Sequence, residues 1–343
     1  MLKKSNITLA DGAGGIETEK LVRDLLSEAI SLAKTWRTKG IIGLDIMDDS
    51  GFIRINEDLY LAITIDSFTI QPIFFKGGSI GKLAVDGTVN DLVVSGATPL
   101  AILDAIVAEE GTEIDLLKKA ADDMIRESKS LGVAIVGGDF KVMPRGQISG
   151  FTITTAGIGL TKRPITDDRI KIGDKIILTG GIGEHGAVIA AHQFGLELNE
   201  DAKSDVLPLM SLLPLFEKFG SFVHAARDPT RGGLSMVLND WSELNGVRIV
   251  VMEEKIPIKP WVKGISDLLG IDPLSLASEG RAVIAVESSI AEIFLEEMRR
   301  SGFPEAEIIG EVTGKGSEVL LRTRIGGLRI LDPPSGIIVP RIC

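Results

Sequence analysis

Phe151-Thr152-Ile153-Thr154-Thr155-Ala156-Gly157-Ile158-Gly159-Leu160 reads as a strand, and the kind of strand decides the architecture. A strand of an all-parallel, doubly wound sheet is buried on both faces and reads as a continuous apolar run. Here threonine and glycine interrupt the apolar positions, alternation is weak, and turn residues lie close by. The expected fold is α/β of the α+β kind, with mixed sheets and helices on one face. Upstream, Leu59-Tyr60-Leu61-Ala62-Ile63-Thr64-Ile65 is a buried strand expected to end at Asp66, and 100–107 and 133–136 read as further strands. An amphipathic helix is expected over 17–34, with Leu21, Leu25, Leu26 and Ala29 on one face, and others over 81–95 and 113–131.

Pro164, Asp167, Asp168 and Gly173 cluster in 161–174, where a domain boundary is expected. Beyond it the alternation restarts: strand 175–179, a glycine-rich turn, a helix from Glu184, helices over 206–219 and 232–244, and strands over 247–252 and 282–287. This divides the chain into 1–161, 162–331 and a tail, 332–343. The tail opens Asp332-Pro333-Pro334-Ser335-Gly336 and closes Pro340-Arg341-Ile342-Cys343. Proline and glycine oppose helix there, so a flexible arm with a reach of roughly 40 Å is expected.

Cys343 is the sole cysteine of 343 residues. On a movable end it suits a carrier thiol, loaded in one place and processed in another; a frayed end is the plainer reading. One cysteine forms no intramolecular disulfide and, with three histidines, excludes a Cys/His zinc site. Any metal is then a hard cation on oxygen ligands. Arg341 favours the thiolate and the neighbouring carboxylate opposes it, so no net pKa direction is expected. The balance of 37 basic against 48 acidic residues, net −11, argues against nucleic-acid binding. No apolar run approaches membrane-span length, and Met1-Leu2-Lys3-Lys4 turns polar too soon for a signal peptide, so a cytoplasmic protein is expected.

Carboxylates recur beside glycine or small polar residues at the ends of apolar runs. They are Asp48-Asp49-Ser50-Gly51, Asp66-Ser67, Asn90-Asp91, Gly137-Gly138-Asp139 and Arg227-Asp228-Pro229-Thr230-Arg231-Gly232-Gly233. A single aspartate in such a place is a turn former or a helix cap. Several converging ones suit Mg²⁺ holding nucleotide phosphates, with Asp48, Asp66, Asp91, Asp139 and Asp228 as the candidate ligands. Gly12, Gly14 and Gly15 precede a helix and could cradle phosphate on main-chain N–H groups. His185, in a second glycine-rich turn, either contacts phosphate or caps its helix. Lys141 and Arg231 either neutralise phosphoryl charge or are solvated cations.

Taken together these motifs resemble the hydrogenase maturation factor HypE family, within the ATP-dependent superfamily of aminoimidazole ribonucleotide synthetase and selenophosphate synthetase. The resemblance spans the chain. It rests on Phe74-Phe75-Lys76-Gly77-Gly78, Gly81-Lys82-Leu83-Ala84-Val85, Gly87-Thr88-Val89-Asn90-Asp91-Leu92, Gly137-Gly138-Asp139 with Lys141, Arg227-Asp228, Thr230-Arg231-Gly232-Gly233-Leu234, Ser278-Glu279-Gly280 and the closing Pro-Arg-Ile-Cys. Only the last of these singles out HypE within the superfamily.

The resemblance implies a two-domain ATP-binding synthetase and a homodimer formed through the first-half sheets. HypF would place a carbamoyl group from carbamoyl phosphate on Cys343. ATP would dehydrate the thiocarbamate to a thiocyanate, and a HypC–HypD complex would receive the cyano group for the iron of a nickel–iron hydrogenase. It further implies that Mg²⁺ on the aspartates organises ATP, and that Lys141, Arg231, Gly232 and Gly233 meet its phosphates. Asn90, Asp91 or Glu279 would hold the amide or take its proton. Two positions depart from the family: Asp11, where histidine is common, and Asp86, where cysteine or histidine is common. Asp86 shares a helix face with Asn90 and would add a carboxylate near the site. Other readings are a selenophosphate synthetase, whose reactive Cys belongs near the N-terminus, a thiamine-phosphate kinase, or a nucleotide-binding scaffold.

Overall fold

A computed structural model describes residues 6–336, Val339, Ile342 and Cys343; Met1-Leu2-Lys3-Lys4, Pro340 and Arg341, on which the sequence readings above drew, lie outside the described residues. The first half pairs β1 (Ile41–Ile42), β2 (Gly51–Asn56), β3 (Leu59–Phe68), β6 (Thr98–Glu109), β7 (Ala134–Met143) and β8 (Phe151–Thr161). Their order is β1-β2-β3-β8-β6-β7, antiparallel except for β6 beside β7. A small hairpin of β4 (Phe74–Phe75) and β5 (Gly78–Ser79) leads into helix α3 (Ile80–Val94). Weak alternation in the β8 sequence becomes strict alternation in burial, because residues from Phe151 to Thr161 turn by twos toward α3. Gly157 matters here: a Cβ would stand 2.6 Å from Thr88 and 3.1 Å from Thr64, so the glycine lets the helix lie close on the sheet.

The second half pairs β9 (Lys175–Leu178), β10 (Val223–Arg227), β11 (Val247–Met252), β12 (Val283–Val286), β13 (Glu307–Lys315), β14 (Val319–Arg322) and β15 (Leu328–Ile330), in the order β10-β12-β9-β13-β11-β14-β15. Alternate residues of β9 enter different cores. Ile177 packs with α5 (Glu184–Gln193), α6 (Leu213–Phe219) and α9 (Ala291–Arg300), while Ile176 and Leu178 pack with α7 (Gly233–Asn245). This sheet is therefore covered on both faces, a correction to the one-faced expectation. α4 (Ile114–Leu131) packs on α3 and α8 (Pro260–Leu269) on α5. Among the described residues no helix is long and apolar enough to cross a membrane.

Three further expectations differ. The helix over 17–34 is two, α1 (Ile16–Leu25) and α2 (Ser27–Trp36), broken at Leu26 where ψ is 13°. Leu25 is 67% exposed, so that face is not the core stripe the spacing suggested. The helix over 206–219 shortens to α6, since the chain before Leu209 bonds to α3 instead. The tail is no free arm where it is described. Ile16 N donates to Pro334 O at 3.2 Å, Gly336 N to Glu17 Oε2 at 3.2 Å, and Val339 and Ile342 are buried in the core beneath α3 and α5.

Candidate active site

The two halves meet around a cavity of about 570 Å³, a size that suits a small-molecule site. Asp91 projects from α3, whose first turn is capped by Ser79 accepting from Lys82 N at 3.3 Å. Thr64 of β3 donates its hydroxyl to Asp91 Oδ2 at 2.6 Å. Asp49 comes from the loop before β2 and Asp228 from the end of β10, and oxygens of Asp49, Asp91 and Asp228 lie within 4.8 Å of one another. Burial, then Asp66, Asp228 and Asp49, holds the Asp91 carboxyl well above its ordinary range. Burial and Asp49, Glu279 and Asp66 do the same to Asp228. Asp49 Oδ2 and Asp228 Oδ2 are buried with no hydrogen-bond partner. Clustered anions with orphaned oxygens are costly alone and suit a hard dication, so the donor set fits Mg²⁺.

Arg227 fixes this loop. Its guanidinium meets Asp49 at 3.2 Å, Asp167 at 3.3 Å and Asp240 at 3.1 Å. Asp48 lines the cavity but is turned to the backbone, accepting from Asp49 N at 2.9 Å and Asp167 N at 3.0 Å. Burial, with Asp49 beside it, pushes Asp48 up to about 7. The cluster thus uses Asp49, which the sequence reading passed over for its neighbour. Thr64 was missed as well, although it shares a strand face with Asp66, two residues on.

Cys343, Arg231, Asp66 and Glu279 line the same cavity. Glu279 is buried. Its main-chain N donates to Asp205 Oδ1 at 3.1 Å, and its Oε1 has no partner. Burial, then Asp205 and Asp66, pushes Glu279 up to about 8, with Arg231 acting the other way. Cys343 is half-buried, and burial pushes its thiol up to about 12 against the pull of Arg231. That corrects the expectation of no net direction. The docked sulfur is a thiol, not a thiolate.

The other expected site residues divide. Gly14 and Gly15 line the cavity. Gly14, at φ +81°, packs so close to Arg231 that a Cβ would fall 2.2 Å from that residue's own Cβ. Gly12 does not line it. Gly232 and Gly233 also do not; they cap α7 and admit Gly14 O and Leu276 O at close range. Asn90 has no free group for substrate: Nδ2 donates to Leu207 O and Glu279 O, both at 3.0 Å, and Oδ1 accepts from Leu209 N at 2.8 Å. It positions Glu279 instead. His185 reaches no phosphate site, and its ring bonds Ile342 O and Ser204. Asp11 caps its own turn, accepting from Thr8 N and Oγ1 at 2.7 and 2.8 Å. Asp86 pairs with Lys82 at 2.6 Å inside α3 and does not line the cavity.

Asp139 and Lys141 lie apart. The strand expected to stop at 136 runs on through both, as part of β7, with Ala105 opposite Asp139 and Val107 opposite Lys141. They pair with each other at 2.7 Å, their side chains 61% and 65% exposed.

Comparisons with known proteins agree with this architecture. Residues 47–161 match the family of AIR synthase related proteins, N-terminal domain, and 171–322 its C-terminal domain. Carbamoyl dehydratase HypE of Rhodobacter capsulatus is 38% identical over 100% of this chain and 99% of that protein. The crystal structure of a HypE–HypF complex is similar at a TM-score of 0.81, with 40% identity over 85% of this chain and 95% of that one. HypE in complex with ATP is similar at 0.78, with 33% identity over 98% and 100%. The chain belongs to the HypE carbamoyl dehydratase family.

Proposed function

We propose that this cavity converts a carbamoyl group carried on Cys343 into a cyano group, using ATP. The observation that carries the reading is the seating of the only thiol in one cavity with Arg231, Glu279, Asp66, Asp49 and Asp91, the last two clustered with Asp228. A kinase or selenophosphate synthetase reading gives that thiol no task. The carbonyl oxygen of S–CO–NH₂ is a poor leaving group. It takes the terminal phosphoryl of ATP, and ADP departs. The C–O bond then breaks, phosphate leaves with that oxygen, and nitrogen gives up both protons as S–C≡N forms. Glu279, with Oε1 free and within the cavity, takes a proton. Arg231 faces the sulfur and the developing phosphate charge. Mg²⁺ on Asp49, Asp91 and Asp228, with Asp66 beside them, would neutralise and orient the triphosphate.

The similarity to a HypE–HypF complex supports HypF as the partner that supplies the carbamoyl group, and a HypC–HypD complex is the proposed acceptor of the cyano group for a hydrogenase iron centre. Need of ATP and one reduced thiol suits the cytoplasm. In the test, carbamoylated protein is freed of HypF and given ATP with and without Mg²⁺. Intact-mass spectra should show loss of one water only with both present; retention of the full carbamoyl mass under that condition overturns the reading.

The chain forms a homodimer through its first sheet. β7 is exposed along nearly its whole length, and Ile63, Ile65 and Leu103 are exposed on the sheet face turned away from α3, the face that Asp139 and Lys141 share. An apolar sheet face with an open edge calls for a cover. Asp139 and Lys141 then reach nucleotide only across that interface. Leu103→Asp is expected to sediment as a monomer where wild type is a dimer; an unchanged dimer places the interface elsewhere.

A further inference from the structure

His185 is fully buried on the first turn of α5. Its Nε2 lies 2.7 Å from Ile342 O and its Nδ1 2.8 Å from Ser204 Oγ. Burial pushes the imidazole down to about 4, so near neutral pH it carries a single N–H. A carbonyl only accepts, so that hydrogen is on Nε2, and Nδ1 accepts from the Ser204 hydroxyl. Ser204 Oγ accepts in turn from Val206 N at 3.2 Å. Val206, Ser204 and His185 thus donate in one direction, each bond polarising the next, and the chain ends on the tail. Phe75 packs edge-on against the ring, centroids 5.3 Å apart, and Ser204 N is tied to Lys76 O at 2.8 Å, so the ring is held on several sides.

The other half of the protein grips the next residue. Thr69, just past β3, donates N–H and Oγ1–H to Cys343 O at 2.9 and 3.1 Å. Each half therefore holds one main-chain oxygen of the tail, and neither hold touches the sulfur.

We propose that His185 is a positioning residue for the carrier thiol: with Ser204 fixing its tautomer and Thr69 as the second hold, it latches the tail so that Cys343 Sγ stays in the cavity. This rests on the reading of Cys343 as a carrier, but its first test does not. The bonds are few, as a catch that must open for loading requires. Because they are made to main-chain oxygens, thiol, thiocarbamate and thiocyanate forms of Cys343 are all held alike.

Cys343 is the sole cysteine, so the rate of its reaction with a thiol reagent such as DTNB, without ATP, reads the open fraction directly. His185→Phe, which keeps a ring but removes the donor, should react about tenfold faster than wild type. His185→Gln, whose amide N–H can replace Nε2–H, should return near the wild-type rate. Ser204→Ala leaves the ring in place and should raise the rate by a smaller factor, which keeps the test open if the phenylalanine variant folds poorly. On carbamoylated protein, His185→Phe should slow dehydration while loading by HypF is not slowed. Unchanged thiol reactivity in both His185→Phe and Ser204→Ala would overturn the latch, as would a glutamine variant as reactive as the phenylalanine one. Failure of dehydration in wild type with the reactivity series intact would instead count against the carrier reading.

Discussion

Cys343→Ser protein, incubated with HypF, carbamoyl phosphate and ATP, is expected to keep its starting mass, with neither the gain of a carbamoyl group nor the later loss of water. The effect is all-or-none because no other thiol exists in the chain. Serine nearly keeps the side-chain volume, and the holds on the tail are made to main-chain oxygens of Ile342 and Cys343, so docking and ATP affinity should stay at wild-type levels. Calorimetry with ATP separates lost chemistry from a lost fold. The same geometry says where loading takes place. From 9.0 the thiol is pushed up to about 12 inside the cavity, so docking cuts its thiolate fraction at neutral pH on the order of a thousandfold. Carbamoylation is therefore expected on the undocked tail, where the thiol recovers its ordinary acidity. Once carbamoylated, the sulfur carries no ionisable proton, and burial among carboxylates no longer opposes any charge on it. A carbamoyl adduct in the serine variant would place the acceptor elsewhere.

How far the sequence reveals such a site depends on what kind of contact makes it. Asp66, Asp91 and Asp228 were legible because each stands in or beside an apolar run with small neighbours; the fold brings Asp66 and Asp91 to one cavity and Asp228 into a cluster with Asp91. Asp139 has the same local signature, but Gly137-Gly138 does not end its strand. Pairing with Leu103 and Asp104 of β6 carries β7 straight through the glycines, a tertiary override that no local pattern reports. Asn90 and His185 show the second limit. Their side chains are spent on Leu207, Glu279, Ser204 and Ile342, partners up to 189 residues away, and residue type alone does not tell a ligand-facing amide or imidazole from one that staples backbone. The tail shows a third. Its proline and glycine do rule out helix, but opposing helix differs from being free: Pro334 O and Gly336 N are bonded to α1, and Val339 and Ile342 are buried.

Glu279→Gln is expected to load normally and to dehydrate about 10²- to 10⁴-fold more slowly, the range for removal of a positioned proton acceptor. The substitution is isosteric. The main-chain bonds that place residue 279, its N to Asp205 and its O to Asn90, do not depend on the acid. Intact-mass time courses should then show the carbamoyl form accumulating. The pH dependence identifies the group. With Glu279 pushed up to about 8, chiefly by burial, the wild-type rate should climb with pH as the carboxylate forms and level off above that value. Mg²⁺–ATP brings a cation nearby and would move the rising limb to lower pH. The glutamine variant should lack this limb. Stability follows with the opposite sign. A folded-state value of about 8 against an ordinary 4.5 means that the folded protein binds this proton more tightly than the unfolded chain. The resulting stabilisation is fully present below the unfolded value and is lost as pH rises through about 8. In the absence of ATP and Mg²⁺, wild type should therefore lose more of its melting temperature than Glu279→Gln between about pH 5 and about pH 8. A variant that dehydrates at the wild-type rate would move the base to Asp91. That carboxyl is also raised well above its ordinary range by burial and by its neighbours, and it accepts from Thr64 within the carboxylate cluster.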